Sequence, residues 1–168
     1  DALAFQEGGQ ARGVARVVGV AEDGDCAVNR RGRVRAEHGS AEVGCVLFSP
    51  SLQKSRLATE AMYIMARHVF DDLGYRRYEW KCNAANAASK RAAERLGFAF
   101  EGRFRKDMVA QGRSRDTDWY SLLDDEWPCA RAALEAWLAP SNFDAEGRQI
   151  QRLGDMRSTA VAGGQGAR

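Results

Sequence analysis

A strand–helix–strand pattern over residues 41–82 constrains the fold of this chain more than any other feature. "AEVGCVLFSP" (Ala41–Pro50) is a β-rich apolar run that ends at Ser-Pro, which predicts a buried strand. Apolar residues then recur at helical spacing as far as Leu73, and Gly74 follows as a helix stop. "RRYEWKC" (Arg76–Cys82) alternates between apolar and charged residues and predicts a second strand. Two strands joined through a helix favour a parallel crossover connection.

The elements that follow predict antiparallel strands in the same sheet. "NAASKRAAERLGF" (Asn86–Phe98) predicts a helix with Asn86 as N-cap and Gly97 as stop. "FAFEGRFR" and "KDMVAQGRSRDTDWYSLL" predict strands, with a turn at Gln111–Arg115 inside the second run. "PCARAALEAWL" (Pro128–Leu138) predicts a last helix with proline in its first turn. We therefore expect an α/β protein with a mixed sheet.

The two ends of the chain are less informative. "GVARVVGVA" (Gly13–Ala21) alternates weakly and could be a strand. "NRRGRVR" (Asn29–Arg35) is a basic patch that is either a solvated hairpin edge or a strip that contacts phosphates. We expect one domain over residues 1–140 and a polar tail over 141–168 that is disordered from about Ser158.

The composition argues against several classes of function. The 168 residues suit one domain, and a net charge of +2 is too small for a dedicated nucleic-acid binder. The four cysteines form no CxxC pair and the two histidines form no HExxH array, so we expect no metal site and no disulfide. No apolar run approaches the roughly 20 residues that span a bilayer. We expect a cytoplasmic protein without nucleic-acid or membrane partners. Its oligomeric state, monomer or homodimer, stays open.

The stretch "PSLQKSRLATEAM" (Pro50–Met62) has the form of a phosphate-binding loop, although it contains no glycine. It joins the first predicted strand to its helix, and a helix N-terminus presents unpaired N–H groups and about half a positive charge. Such a terminus can bind an anion, and Lys54 and Arg56 add formal positive charge. The alternative is that this stretch is only the capped start of an amphipathic helix.

Two motifs in this order carry a resemblance to a known family. The first, Q/R-x-x-G-x-G/A, is matched by Gln53, Arg56 and Ala58, and "ATEA" (Ala58–Ala61) overlaps it. The second, N-x-x-S followed by Gly-Phe, is matched by Asn86, Ser89, Gly97 and Phe98. Over residues 37–138 the chain resembles the GNAT superfamily of acyl-CoA-dependent N-acyltransferases, and most of all its branch of ribosomal-protein N-terminal acetyltransferases. It departs from the family at Arg56, where glycine is usual.

The resemblance implies a fold. GNAT proteins have a three-layer α/β/α arrangement around a mixed, mostly antiparallel sheet that splays open between the fourth and fifth family strands. Family members usually carry another strand and one or two helices before the region that begins here. The resemblance therefore implies that the N-terminal elements of the 1–140 domain are truncated or divergent.

The resemblance also implies that acetyl-CoA is the co-substrate, and it assigns residues to it. The CoA pyrophosphate would lie on the loop and first helical turn, which comprise Gln53, Lys54, Ser55, Arg56, Leu57, Ala58 and Thr59. The pantetheine arm would pair beside Cys45, Val46, Leu47 and Phe48. A backbone N–H of Val46 or Leu47 would polarise the thioester oxygen, and Asn86 would hydrogen-bond the arm.

Three side chains are candidates for proton transfer. Glu42 is the first choice for the general base, acting through a water, and its alternative role is an edge carboxylate paired with an arginine. Glu79 is the second choice, and its alternative role is a charged ladder with Arg77 and Lys81. Ser89 matches the serine that the N-terminal acetyltransferase branch uses as acid, and it could instead be an ordinary first-turn serine.

These residues together predict transfer of an acetyl group to a primary amine. The acceptor would be a protein N-terminus or a small-molecule amine, and Trp119 or Tyr120 is a candidate for lining its site. Two alternatives stay open. Arg56 is compatible with a degenerate CoA-binding module that has no turnover, and residues 29–35 are compatible with a nucleic-acid-associated protein.

Overall fold

A computed structural model of the chain describes the backbone of residues 5–6, 16–20, 26–28, 33–44, 46, 48–50 and 52–164. Three short antiparallel strands form a small sheet, and they are β1 Phe5–Gln6, β2 Arg16–Val20 and β3 Cys26–Val28. Strand β2 lies within the strand expected over residues 13–21. The first four residues of the basic stretch 29–35 lie outside the described residues.

The main sheet has five strands and a mixed direction. Its strands are β4 Val34–Arg35, β5 Ser40–Val43, β6 Arg77–Asn83, β7 Ala99–Ala110 and β8 Arg113–Leu123. They lie in the order β4-β5-β6-β8-β7, in which β5 and β6 are parallel and all other neighbours are antiparallel. The predicted parallel crossover and the mixed, mostly antiparallel sheet are confirmed.

Strand β5 is shorter than the strand predicted over Ala41–Pro50. Its pairing with β6 ends at Val43, which lies opposite Trp80. Beyond that point β6 continues to Asn83 and, among the described residues, pairs only with β8. Val46 and Phe48 are still packed against the core although they belong to no strand. The predicted strand was too long because an apolar run indicates that its residues are buried. Buried residues do not need to be hydrogen-bonded to a neighbouring strand.

The described helices are α1 Arg56–Arg67, α2 Ala87–Leu96, α3 Trp127–Leu138 and α4 Leu153–Gly164, and two 3-10 turns lie at Ala36–His38 and Pro140–Asn142. Helix α1 continues into a π-helical turn over His68–Asp72 before Gly74, which has a φ of 63°. The predicted caps of α2 are confirmed, since Asn86 caps its start and Gly97 follows its end in the left-handed region. No described helix is long and apolar enough to cross a membrane.

Two further predictions need correction. The first run after α2 and the part of the second run up to Ala110 form one continuous strand, β7, which contains two irregularities in its pairing with β8. The turn to β8 comprises only Gln111 and Gly112. The disordered tail expected from about Ser158 is instead part of α4, whose backbone is helical to Gly164. Leu153 anchors this helix in the core and is 1% exposed. The segment resembles a tail because few of its other residues are apolar.

The core lies between the helices and one face of the sheet. Tyr78 and Trp80 of β6 both contact Phe98, and Phe70 contacts Tyr78 edge-on. The buried tryptophans Trp80, Trp127 and Trp137 serve as core residues, as expected. The opposite face of β6 carries Arg77, Glu79 and Lys81. The described helices all contribute to the one core, so the second helical layer of the predicted three-layer arrangement is not among the described elements.

Gly97 is required where α2 turns into β7. Its φ is 113°, and an added Cβ would lie 3.4 Å from the Cβ of Ala130. We expect Gly97→Ala to lower the free energy of unfolding by about 1–3 kcal/mol in urea denaturation, because an L-residue is strained in this conformation. Gly154→Ala is the control, since nothing lies within 4 Å of its Cβ position and alanine favours a helix. Equal losses in both variants would contradict this reading.

Asp118 ties the sheet to α2 through charge. Its carboxylate accepts hydrogen bonds from the Arg103 guanidinium at 2.6 and 3.0 Å and lies 3.5 Å from Lys90 Nζ. The bond to Arg103 lowers the pKa of Asp118. A group with a lowered pKa stabilises the fold above its unfolded pKa, and this stability is lost as the pH falls through the folded value. Asp118→Asn should therefore lower the urea midpoint at pH 7 much more than at pH 3, and a constant difference would contradict this expectation.

Candidate active site

The loop before α1 is held in a defined conformation by its own hydrogen bonds. The N–H groups of Leu52 and Gln53 both donate to the carbonyl of Ser49 at 3.1 Å, and Lys54 has a φ of 62°. Ser55 is the N-cap of α1, and its Oγ accepts from the N–H of Ala58 at 3.0 Å. The capped helix start that the sequence left as an alternative is therefore present.

The first turn of α1 nevertheless has amides to offer a ligand. Among the described residues, no acceptor lies within hydrogen-bond distance of the N–H groups of Arg56 and Leu57. These groups stand at the positive end of the helix dipole. Lys54 is exposed in the same loop. The geometry is that of an anion-binding helix N-terminus, so the cap and the phosphate site are compatible.

The side chain of Arg56 is engaged outside this loop. Its Nη2 donates to the carbonyl of Leu138 at 2.7 Å, and its guanidinium lies 5.0 Å from the centre of the Phe143 ring. Arginine in place of the family's usual glycine is therefore accommodated by the segment that follows α3. No pattern in the sequence indicated this contact.

A second arginine joins the same region and was not indicated by the sequence. Arg95 of α2 donates to Thr59 Oγ1 at 3.1 Å, and its guanidinium lies 4.8 Å from the centre of the Trp137 ring. Burial lowers the pKa of Arg95. It connects the first turn of α1 to α2 and α3 at once.

The sheet opens at the end of β5, next to this loop in the chain. Val46 and Phe48 are half-buried there, and Cys45 and Leu47 lie outside the described residues. Beyond Trp80, the edge of β6 that faced β5 has no described strand beside it. An extended ligand could pair with such an edge.

Asn86 and Ser89 lie at the start of α2, close to the end of β6. The Oδ1 of Asn86 accepts from the Ser89 N–H at 3.0 Å, and its Nδ2 has no partner among the described residues. The Oγ of Ser89 accepts from Trp80 Nε1 at 3.0 Å. Ser89 also hydrogen-bonds the Cys82 thiol, whose pKa burial raises. Ser89 is thus more closely held than an ordinary first-turn serine.

Glu42 is buried on the charged face of the sheet, with 6% exposure. Its Oε2 lies 2.8 Å from Lys81 Nζ, and that ammonium lies 4.9 Å from the centre of the Trp119 ring. The expected arginine partner is therefore a lysine. The Glu42 N–H donates to the carbonyl of Arg33 at 2.8 Å, which places these two residues opposite each other across β5 and the strand before it.

Glu79 belongs to a network of arginines. Its Oε1 accepts from Arg35 Nη2 at 2.6 Å and from Arg77 Nε at 2.8 Å. Arg77 also donates twice to Glu101 at 2.6 Å, and Ser121 Oγ donates to Glu101 at 2.7 Å. The bonds to Glu101 raise the pKa of Arg77, and the Arg77 bonds lower the pKa of Glu101. The charged ladder expected as the alternative for Glu79 is present with Arg77, whereas Lys81 pairs with Glu42 and Arg35 is the second partner of Glu79.

A cavity of about 420 Å³ lies over this charged face. Its walls are Arg33, Arg35, Glu42, Arg77, Glu79, Glu101, Gly102, Phe104 and Trp119. Of the two aromatic candidates for an acceptor site, Trp119 lines the cavity, whereas Tyr120 is buried at 2% exposure and contacts Phe100. The described residues contain no cluster of histidine, cysteine, aspartate and glutamate that could hold a metal ion.

Comparison with known proteins identifies the same family. The model of the acetyltransferase (GNAT) domain matches residues 2–99. A GCN5-related N-acetyltransferase from Brucella melitensis is 45% identical with a TM-score of 0.75, over 80% of this chain and 66% of that one. A probable GNAT acetyltransferase from Chromobacterium violaceum is 47% identical with a TM-score of 0.59, over 68% of this chain and 61% of that one. The chain thus spans slightly less than two thirds of each of these proteins.

More distant relatives agree on the family or the fold. An uncharacterized N-acetyltransferase, YnaD, from Bacillus subtilis is 26% identical over 129 residues, which are 76% of this chain and 75% of that protein. A spermidine N-acetyltransferase from Vibrio cholerae shares the fold at 19% identity, with a TM-score of 0.57 over 67% of each chain. The family model covers more than half of the chain, and the five-strand mixed sheet matches the fold of the GNAT structures. The chain belongs to the GNAT acetyltransferase family.

Proposed function

We propose that this chain transfers the acetyl group of acetyl-CoA directly to a primary amine. The observation that carries the proposal is the end of pairing between β5 and β6 at Val43 and Trp80. Among the described residues, no strand pairs with this edge of β6 beyond Trp80, and two amides at the start of α1 have no partner. A thioester carried on an extended arm, with a pyrophosphate at its far end, is complementary to this combination.

The residues present fit acetyl-CoA. The N–H groups of Arg56 and Leu57 would bind the pyrophosphate within the stretch Gln53–Thr59, and the exposed Lys54 would add positive charge. The Nδ2 of Asn86 is available to hydrogen-bond the pantetheine arm, which would lie beside Cys45–Phe48. When bound, acetyl-CoA supplies the acetyl group: its C–S bond breaks as the new N–C bond forms, and CoA leaves as a thiol after protonation of its sulfur.

Glu42 is the proposed general base. An alkylammonium has a pKa near 10.4 and is not nucleophilic, so one proton must leave before or during attack. Glu42 is a buried carboxylate in the wall of the cavity, and it would accept this proton through a water. The Lys81 ammonium lies 2.8 Å from Glu42 Oε2 and would hold this carboxylate in place beside the cavity. Glu79 is less suited because two arginines already occupy one of its oxygens.

Two groups would stabilise the charge that develops during the transfer. The backbone N–H of Val46 or Leu47 would donate to the carbonyl oxygen as it becomes negative. Ser89 would donate its hydroxyl proton toward the leaving sulfur. Its oxygen accepts from the Trp80 indole, so its O–H is the donor, and this donor would turn from the Cys82 thiol toward the leaving sulfur.

The acceptor is either a protein N-terminus, as in the ribosomal-protein branch, or a small molecule. A cavity of about 420 Å³ falls in the range typical of small-molecule sites, which supports the second class. The degenerate CoA-binding module is a weaker candidate. Arg56, which motivated it, has its guanidinium at Leu138 and Phe143, outside the loop.

The CoA site is tested by isothermal titration calorimetry with acetyl-CoA. We expect micromolar binding by the parent chain. Ala58→Glu should weaken it at least tenfold, because a carboxylate in the first turn of α1 repels the pyrophosphate. Because Ala58 is buried, circular dichroism must first show that Ala58→Glu is folded. Ala132→Glu, at an exposed position of α3, controls for the added charge and should bind acetyl-CoA like the parent. No binding by a folded parent chain would refute the proposed function.

Two variants separate the proposed role of Asn86 as a ligand of the pantetheine arm from its role as a helix cap. Asn86→Ala removes both the cap oxygen and the Nδ2 donor, whereas Asn86→Asp keeps an oxygen that can accept from Ser89 N–H. Both should weaken acetyl-CoA binding in the same calorimetric experiment, and only Asn86→Ala should lower thermal stability appreciably. Parent-like binding by Asn86→Asp would exclude Nδ2 as a ligand of the arm.

The base is tested by steady-state kinetics with detection of the released thiol. We expect Glu42→Gln to lower kcat by about 10²–10⁴-fold, the usual contribution of a positioned base, with little change in acetyl-CoA affinity. Glu79→Gln is the companion variant, and it should keep kcat within about tenfold of the parent value. If Glu79→Gln shows the larger loss of kcat and Glu42→Gln keeps the parent value, the assignment of the base is reversed.

A further inference from the structure

The cavity over the charged face brings two arginines next to the proposed base. Arg33 and Arg35 flank Val34 of β4, so their side chains lie on the same face of the sheet. The backbone hydrogen bond from Glu42 to Arg33 aligns these two residues across neighbouring strands. Both arginines and Glu42 line the cavity. A small molecule with its amine near Glu42 is therefore within reach of guanidinium groups.

Each carboxylate in this cavity already has a cation. Lys81 pairs with Glu42, and Arg35 and Arg77 share Glu79. Glu101 receives two bonds from Arg77 and a third from Ser121. The three carboxylates are thus already paired with cations of the protein. They would stabilise a second positive charge on a substrate only weakly.

The uncommitted groups are donors. Arg33 is exposed and its guanidinium has no partner among the described residues. Among the described residues, Arg35 donates to Glu79 through Nη2, and its Nε has no acceptor. The buried Nε1 of Trp119 also has no acceptor in the described part of the chain. These groups all belong to the walls of the cavity.

The balance of charge points the same way. Four cations, Arg33, Arg35, Arg77 and Lys81, stand against three carboxylates, Glu42, Glu79 and Glu101, which leaves a net charge of +1. Arg33 is the cation without a described partner. Phe104 and Trp119, with ring centres 5.2 Å apart, add an apolar wall. The cavity suits a ligand that brings a negative group together with a small apolar body.

We propose that the amine acceptor is a small molecule that carries a carboxylate, which Arg33 and Arg35 bind while the amine lies beside Glu42. This inference rests on the proposed acetyl transfer and names its substrate class. A diamine or polyamine would instead place a second ammonium near an unpaired guanidinium, which is unfavourable. The transfer is otherwise unchanged: the N–C bond forms, the C–S bond breaks, and the amine gives one proton to Glu42.

Matched acceptors test the inference by thiol release. Glycine, β-alanine and 4-aminobutyrate are each compared with the corresponding carboxamide and with the diamine of equal length, at equal concentrations of free amine. We expect kcat/KM for the best carboxylate to exceed that of its carboxamide and diamine by about 10–100-fold, the usual effect of a charge-assisted hydrogen bond. Equal use of the three members, or preference for the diamine, would overturn the inference and leave acetyl transfer intact.

Variants identify the groups responsible. Arg33→Gln breaks no described ion pair and should lower kcat/KM for the carboxylate about tenfold or more, with the carboxamide little affected. Arg35→Gln should act in the same direction. The matched control, Arg113→Gln, changes an exposed arginine at the start of β8 that does not line the cavity, and it should keep the parent's selectivity. Selectivity for the carboxylate that survives in both Arg33→Gln and Arg35→Gln would overturn the assignment of the site.

Direct binding separates failure of the inference from failure of the proposed function. If the chain binds acetyl-CoA but releases thiol with none of these amines, calorimetry with the carboxylates decides. The site is supported if the amino carboxylates bind, the carboxamides do not, and Arg33→Gln abolishes the binding. If the amino carboxylates do not bind, the inference is overturned and the proposed acetyl transfer is not affected. If neither acetyl-CoA binding nor thiol release is detected with folded protein, the proposed function fails and the inference fails with it.

Discussion

The loss of pairing between β5 and β6 after Val43 and Trp80 is the constraint on which the rest of the structure depends. Backbone groups that leave a ladder need other partners, and the chain supplies them with a hydrogen-bonded loop and a capped helix. The same divergence leaves the β6 edge open. The end of β5–β6 pairing is therefore linked to both parts of the candidate acetyl-CoA site, the β6 edge and the start of α1. Helix α1 begins about a dozen residues after Val43.

Much of the fold could be predicted from local patterns. The alternation in β6, the Asn86 and Gly97 caps of α2 and the proline in the first turn of α3 all report the backbone directly. The end of β5 could not be predicted, since apolar residues continue beyond the last ladder bond. Helix α4 was missed because its attachment depends on Leu153 and on contacts to residues far away in the sequence, such as that of Arg157 with the carbonyl of Glu94.

The local motifs could predict only the positions of residues in the backbone. Ala58 lies in the first turn of α1 and Asn86 caps α2, as these motifs indicate, whereas their roles toward acetyl-CoA stay predictions. The charged cavity could not be read in this way, because its ion pairs join distant positions. Arg35 and Glu79 are 44 residues apart, and Arg56 reaches a carbonyl 82 residues away. A single sequence carries no period that would reveal such pairs, so the surplus of arginine in the cavity appears only in three dimensions.

The contacts of Arg56 and Arg95 have a consequence for how the molecule opens. They join the first turn of α1 to Trp137 and Leu138 at the end of α3 and to Phe143 after it, so we expect these parts to unfold locally together. Linkage then works in both directions. An anion bound at the α1 terminus would therefore slow hydrogen exchange in the C-terminal segment, and local unfolding of that segment would weaken anion binding.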